Sequence, residues 1–214
     1  MIISEQEVKR IQSLYGIISE SSSNESIFVE DDCSGKISSY VVATDSGFAP
    51  NPYGGKLTLA TCKPVIRKGG QVGDLLLGFK KGKLIYCGLV SEVLSFQDYD
   101  KFCQSGFPCK TPDKRNKLGD NIFDYSTGEP VVRDKSIHQK PELLQRDLRG
   151  KNVLICDTFW YFGKNAIELP DQFGPLVKKG IGHKNTRDNK MKNDLLEWLS
   201  KNYSTGIHGK PYDL

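Results

Sequence analysis

The spacing of apolar and polar positions changes character several times along the chain. Over residues 4–19, Val8, Ile11, Leu14, Tyr15 and Ile18 recur at helical intervals, and Ser4 with Glu7 forms an S-x-x-E capping box ahead of them. That spacing predicts an amphipathic helix. The stretch that follows, "SESSSNES", is polar throughout and has nothing to bury, so residues 1–36 read as a helix and linker attached to a single domain at 37–214. From about 37 to 95 the pattern becomes that of strands. "ISSYVVAT", "KLTLATCKPVI", "VGDLLLGFK" and "LIYCGLVSEVLSF" are short β-rich runs separated by Gly, Pro and Lys-Gly punctuation. The tight-turn sequence "KKGK" predicts an antiparallel hairpin of 73–79 with 83–93, and "SFQDYDKFCQ" predicts a short helix.

Residues 104–150 have no clear period and are rich in Gly, Pro, Lys, Asp and Asn. An irregular insert of that length is uncommon in a compact domain and points to a functional or mobile segment. A buried strand returns in "KNVLICDTFWYFG", at 151–158. Near the C-terminus "DNKMKNDLLEWLSKNY" predicts a helix over about 188–203, with Met191, Leu195, Trp198 and Leu199 as its apolar stripe. Strands in close succession without strict βαβ alternation make the fold class α+β. The expected architecture is a small bent antiparallel sheet or β-barrel flanked by N- and C-terminal helices. No G-x-G-x-x-G, P-loop, G-x-S-x-G or H-E-x-x-H motif is present.

Composition narrows the class. Ten Phe and nine Tyr can fill a core, and no apolar run approaches the roughly 20 residues of a membrane span. The N-terminal residues lack the apolar region of a signal peptide, which predicts a cytoplasmic protein with no membrane partner. Of six cysteines, Cys33, Cys62, Cys87 and Cys156 stand singly, three of them within strand-like runs, and read as small hydrophobes. Cys103 and Cys109 are six apart, which is not zinc-knuckle spacing, so neither a metal nor a cofactor is expected. The net charge of +4 is mild, but 178–192 holds six basic residues against one acid and 110–117 four against one. Such runs are solvated faces, or contacts for a phosphate-bearing partner where two share a face.

The stretch "TDSGFAPNPYGG" (44–55) spends twelve residues where two would close a hairpin. Its glycines and prolines restrict the backbone, which favours a preorganised ligand loop. Asp45 and Asn51 would read the polar edge of a base, while Phe48 and Tyr53 would stack on it. The structural alternative is an ornate turn with Asp45 capping backbone N–H groups and Phe48 in the core. "TFWYFG" (158–163) sends Phe159 and Tyr161 to one face of a strand and Trp160 and Phe162 to the other. One pair belongs to the core, and Trp160 or Tyr161 is a candidate stacking surface. Arg67 and Lys68 beside Gly69-Gly70 are candidate phosphate contacts, with a solvent-facing hairpin turn as the plainer reading. His138 or His183 would serve as a general base if folded near Asp45; a Cys–His pair is available on inventory alone, with no cysteine in an evident low-pKa setting.

The run "YVVATDSGFAPNPYGGKLTLATCKPVIRKGGQVGDLLLGF", with "LIYCGLVSEVLSFQDY" and "VLICDTFWYFGKNAIELP", resembles the second family of nucleotide-modification-associated domains. The likeness covers about 40–170 and is most specific from Thr44 to Phe79. It implies a bacterial, archaeal or phage protein associated with DNA-base modification and defence against phage, and it supplies no catalytic residues to carry over. A weaker likeness to PUA-like barrels of the EVE and ASCH type rests on Gly73, Asp74, Gly78, Val90 and Val93. By that likeness a barrel mouth would hold a modified base between aromatic side chains.

Two readings follow. In the first, the domain binds a nucleotide or nucleic acid carrying a modified base, through Asp45, Phe48, Asn51, Tyr53, Arg67, Lys68, Trp160 and Tyr161. In the second it is an enzyme, a hydrolase or group transferase acting on a nucleotide or modified base, with Asp45 and His138 catalytic. A third, a protein-interaction module, would show a large exposed apolar patch. Oligomeric state is not legible in the sequence.

Overall fold

The computed structural model describes residues 35–214. The helix read at 4–19 and its linker lie outside the described residues. The rest is an α+β fold built on two open, mostly antiparallel sheets, the bent-sheet arm of the expectation and not a closed barrel.

The larger sheet begins with β1 (Ile37–Val41), which lies parallel to β3 (Leu75–Lys80). β3 turns back through Lys81-Gly82 into β4 (Lys83–Leu89), the hairpin that "KKGK" predicts. The smaller sheet contains β2 (Leu57–Leu59), β5 (Glu92–Ser95) and β8 (Asn152–Cys156), with β8 in the centre. β9 (Thr158–Tyr161) pairs with β4 in the larger sheet. The β4/β9 pair of one sheet therefore runs on as the β5/β8 pair of the other, bending at Val90-Ser91 and at Asp157. β10 (His183–Thr186) and β11 (Gly206–Ile207) close the two edges of the larger sheet.

Alternation along each strand assigns the core to three layers. Leu76, Ile85, Phe159 and Tyr161 of the larger sheet face Leu57, Leu59, Leu154 and Cys156 of the smaller one. Leu75, Leu77, Phe79 and Trp160 point the opposite way and pack on Leu195 and Leu199 of the C-terminal helix α4 (Asn189–Asn202). Val153 and Ile155 of β8 face outward onto Phe96, Tyr99 and Cys103 of α2 (Phe96–Gly106). The strands β3, β8 and β9 are thus buried on both faces, which is why their sequences read as continuous apolar runs. Each fully buried Leu, Ile or Phe here contributes about 1.5–3 kcal/mol. No helix among the described residues is long and apolar enough to cross a membrane.

The irregular insert is tied down by buried polar groups in place of regular structure. It contains a 3₁₀ turn at Pro108–Lys110, a hairpin of β6 (Phe123–Asp124) with β7 (Val131–Val132), and α3 (Pro141–Leu148). Asp120 accepts from Thr58 Oγ1 at 2.6 Å and from the Tyr99 hydroxyl at 2.7 Å. Asp100 accepts from Asn121, Tyr125 and Arg133. The Lys110 ammonium donates to the Asn51 carbonyl, to Asn51 Oδ1 and to the Lys56 carbonyl. Hydrogen bonds to a charged group contribute more than neutral ones, so these three centres weld the insert to the smaller sheet.

Candidate active site

After β2 the chain makes a sharp strand-to-helix turn. Cys62 and Lys63 both take left-handed backbone angles, with φ of 56° and 38°, and Pro64 then opens α1 (Pro64–Lys68). Left-handed geometry costs a residue with a side chain roughly 1–2 kcal/mol, so the turn needs external support. That support is specific. The Cys62 N–H donates to Asp147 Oδ1 at 2.8 Å, and the Cys62 carbonyl accepts from Arg67 Nε at 2.7 Å. Arg67 is fully buried and also donates to the carbonyls of Asn152 and Asp147 at 2.7 and 2.6 Å. A Cβ on Gly150 would fall 2.4 Å from this guanidinium, so glycine makes room for the clamp. Burial lowers the Arg67 pKa to about 10 against the opposing charge of Asp147, and it stays cationic at neutral pH.

The supporting carboxylate has a second role. Asp147 sits near the end of α3 with no exposure, and its Oδ2 lies 2.7 Å from Nδ1 of His138. One ligating atom each from Cys62, His138 and Asp147 lie within 4.8 Å of one another, which puts the Cys62 sulfur beside the imidazole. Burial disfavours the imidazolium, but the hydrogen bond to Asp147 and the nearby Cys62 sulfur outweigh it and raise the His138 pKa to about 9. His138 is held in turn by its N–H on Ser136 Oγ at 3.1 Å and by the Phe48 ring, edge-on at 4.7 Å between centroids. Arg146 completes the cluster. Its Nη2 is 3.7 Å from the Cys62 sulfur, and its buried Nε makes no hydrogen bond, lying 3.7 Å from Asp147 Oδ1.

These groups line a pocket of about 460 Å³ whose remaining wall comes from the 44–55 loop. Thr44, Ser46, Phe48 and Ala49 face it, and Lys63 and Ile137 stand at its rim. Lys63 donates to the Val41 carbonyl at 2.9 Å over the Tyr40 ring, and burial lowers its pKa. An apolar wall, two cations, a thiol and an imidazole face one cavity.

Cys62, His138 and Asp147 are also the residues that could hold a metal. Ligand atoms around tetrahedral zinc sit about 2.0–2.1 Å from the ion and so roughly 3.3 Å apart. The 2.7 Å contact between Asp147 and His138 is a hydrogen bond, and Asp147 Oδ1 is occupied by the Cys62 N–H. The arrangement sets a carboxylate-bound imidazole beside a thiol, the residue types of a nucleophile, its base and the group that orients the base.

Of the residues singled out in the sequence, Phe48 and His138 meet in this pocket. Asp45 is buried behind it, accepting from the Tyr161 hydroxyl at 2.6 Å, the Gly47 N–H and the Tyr212 N–H. It therefore latches the C-terminal segment to the loop. Asn51 is buried, accepts from Lys110 and Tyr53, and donates to the Leu118 carbonyl. Tyr53 packs over Gly47. Both faces of the 159–162 strand are core: Tyr161 bonds Asp45, and Trp160 Nε1 donates to the Tyr203 carbonyl. Arg67 is the internal clamp just described, while Lys68 is exposed. His183 lies in β10 beside Lys63 in a neighbouring depression.

Cys62, Arg146 and Asp147 were not singled out as site residues. Cys62 follows an apolar strand and so reads as a hydrophobe; the signal against that is "CKP", which puts Pro64 at the first helical position two residues after the cysteine. Asp147 and Arg146 lie in a helix of eight residues, too short for its pattern to mark them.

The family model for nucleotide modification associated domain 2 matches residues 34–214. No curated protein and no solved structure matches the chain.

Proposed function

The chain belongs to the nucleotide modification associated domain 2 family, and on that premise we propose that it is a thiol-dependent hydrolase or group transferase acting on a nucleotide whose base carries an acyl-type substituent. The observation that carries this reading is the Asp147–His138 hydrogen bond with the Cys62 sulfur within 4.8 Å of both, opening on a base-sized pocket.

The chemistry follows from the geometry. Asp147 holds the Nδ1 proton of His138 and leaves Nε2 for the thiol. In its neutral form, which a pKa raised to about 9 makes dominant only above that pH, His138 takes the Cys62 proton, and the sulfur attacks the substrate carbonyl carbon. The tetrahedral oxyanion forms beside Arg146, whose guanidinium is next to the sulfur and short of hydrogen-bond partners. Its collapse breaks the bond to the leaving amine or alcohol, which takes the proton back from imidazolium. Water, or an acceptor amine, then cleaves the thioester with His138 as base. The apolar wall with Phe48 would receive the base, and Lys63 would meet an anionic part of the substrate.

The test has two arms. Iodoacetamide followed by peptide mapping should mark Cys62 well ahead of Cys109, the other half-buried thiol among the described residues. A panel of nucleotides with amide- or ester-bearing bases should show turnover that Cys62→Ser removes. If Cys62 is no more reactive than Cys109 and no substrate turns over, the thiol reading is wrong. Binding of a modified nucleotide without turnover, equal in wild type and Cys62→Ser, would instead make the domain a reader of modified bases, a reading favoured by the Phe48 wall.

A further inference from the structure

The pocket continues beyond Cys62. Its rim residues Pro64 and Arg146 also border an adjoining open groove with Val65, Lys68 and Arg149. Across α1, Lys63 and Pro64 border a third depression that reaches His183. No Asp or Glu lines any of the three. Among the described residues neither Lys68 nor Arg149 has an ion-pair partner, whereas Lys36, Lys56, Lys80 and Arg133 are each paired with an aspartate. Arg146 meets Asp147 only at 3.7 Å, and cations gathered with so little counter-charge repel one another, which a bound anion offsets.

The spacing suits one kind of anion. Arg146 is on α3 and Arg149 follows three positions later, so both side chains lie on one side of that segment. Lys68 ends α1 opposite them, and Val65, two-thirds exposed, stands between with Pro64. Cations flanking an apolar platform are what successive phosphates and an intervening base or sugar require. The pocket accommodates one base, which a stacked duplex does not present.

Resting on the Cys62 reading, we propose that this groove holds the phosphodiester next to the nucleotide whose base enters the pocket, so that the substrate is a single nucleic-acid strand and not a free mononucleotide. Arg146, shared by groove and pocket, joins the phosphate contact to the reacting thiol.

The experiment uses a short fluorescein-labelled oligothymidylate as probe and reads anisotropy between about 50 and about 200 mM salt. Wild-type affinity should fall as salt rises. The double variant Lys68→Ala/Arg149→Ala should bind about tenfold more weakly at the lower salt, with the logarithmic salt slope reduced by about 1.4, two single-strand phosphate contacts at about 0.7 each. The oligonucleotide should shield Cys62 from iodoacetamide in the wild type and not in the double variant, while thymidine monophosphate at the same nucleotide concentration should not shield it. Without oligonucleotide, both proteins should alkylate at the same rate, which reports an intact site. Unchanged binding by the double variant, or equal shielding by the monophosphate, overturns the proposal. If Cys62 proves inert while the groove variants still lose strand binding, the thiol chemistry fails alone. If Cys62 reacts as expected and the variants bind normally, the groove fails alone.

Discussion

Arg67 donates from Nε to the carbonyl of Cys62 at 2.7 Å, from a position with no solvent exposure. Because the same guanidinium also holds the carbonyl of Asp147 at 2.6 Å, one buried cation fixes the Cys62 turn to the end of the helix that carries Asp147. The clamp does not touch the pocket; it sets the distance between two groups that do.

Replacing Arg67 by Met removes three donors from buried carbonyls and leaves Asp147 with less positive charge nearby. The expected loss is about 3–5 kcal/mol in urea unfolding. Arg67→Lys should recover part of the stability but not the reactivity of Cys62, since one ammonium cannot span three carbonyls. A Met variant within about 1 kcal/mol of wild type would show that the clamp contributes little.

Cys62→Ser should behave differently. The structural bonds of this residue are made by its backbone N–H and carbonyl, which serine keeps. Stability should change by less than about 1 kcal/mol, while turnover drops by at least about 10³-fold. A variant that loses activity together with its cooperative unfolding would argue for a structural thiol.

The His138 imidazole carries a pH signature. Its folded pKa, raised to about 9, lies above its ordinary value of 6.5. Its contribution to stability is therefore complete below about pH 6.5 and is lost as pH rises through about 9. Unfolding of wild type and His138→Gln, compared across that range, should show a difference that shrinks with rising pH. A difference that widens would contradict the assignment.

Asp147→Asn tests the same relationship from the other end. It removes the charge and alters the hydrogen bond that raises His138, so the imidazole should titrate nearer to 6.5 by NMR. If the His138 titration stays near 9 in this variant, Asp147 does not set it.

Lys110 supplies a contrasting case in the insert. Burial lowers its pKa to about 8, against the pull of Asp120. Between about pH 8 and 10.5 the unfolded chain binds the proton that the folded one releases, so stability should rise over that interval relative to Lys110→Met. A flat difference would mean the ammonium stays protonated throughout.

The framework was legible where burial on two faces or one face writes a period into the chain. The β3–β4 hairpin, the α2 helix and the stripe of Leu195, Trp198 and Leu199 on α4 follow directly from that. The even division of Phe159 and Tyr161 from Trp160 was also readable, but not that both faces would be buried, because a second sheet and the C-terminal helix arrive from distant sequence. The loop at 44–55 is ordered, as its prolines and glycines suggest. Its polar residues face inward because Asp45 is met by Tyr161 and Tyr212, and Asn51 by Lys110, partners 116, 167 and 59 positions away. The cluster at Cys62 has the same origin: His138 and Asp147 come from an insert with no period, and Arg67 is identifiable as a clamp only once Gly150 lies against it.

His138 and Asp147 are nine positions apart and bond directly to each other. His138 and Asp147 thus travel together within one insert, while Cys62 belongs to the turn after β2. The two halves are nonetheless coupled, because Asp147 Oδ1 also holds the Cys62 N–H: a change at that acid would disturb the turn as well as the imidazole. A chimera grafting another member's 136–147 segment onto this scaffold would transfer reactivity only if it also kept the glycine and the buried arginine that hold the halves together.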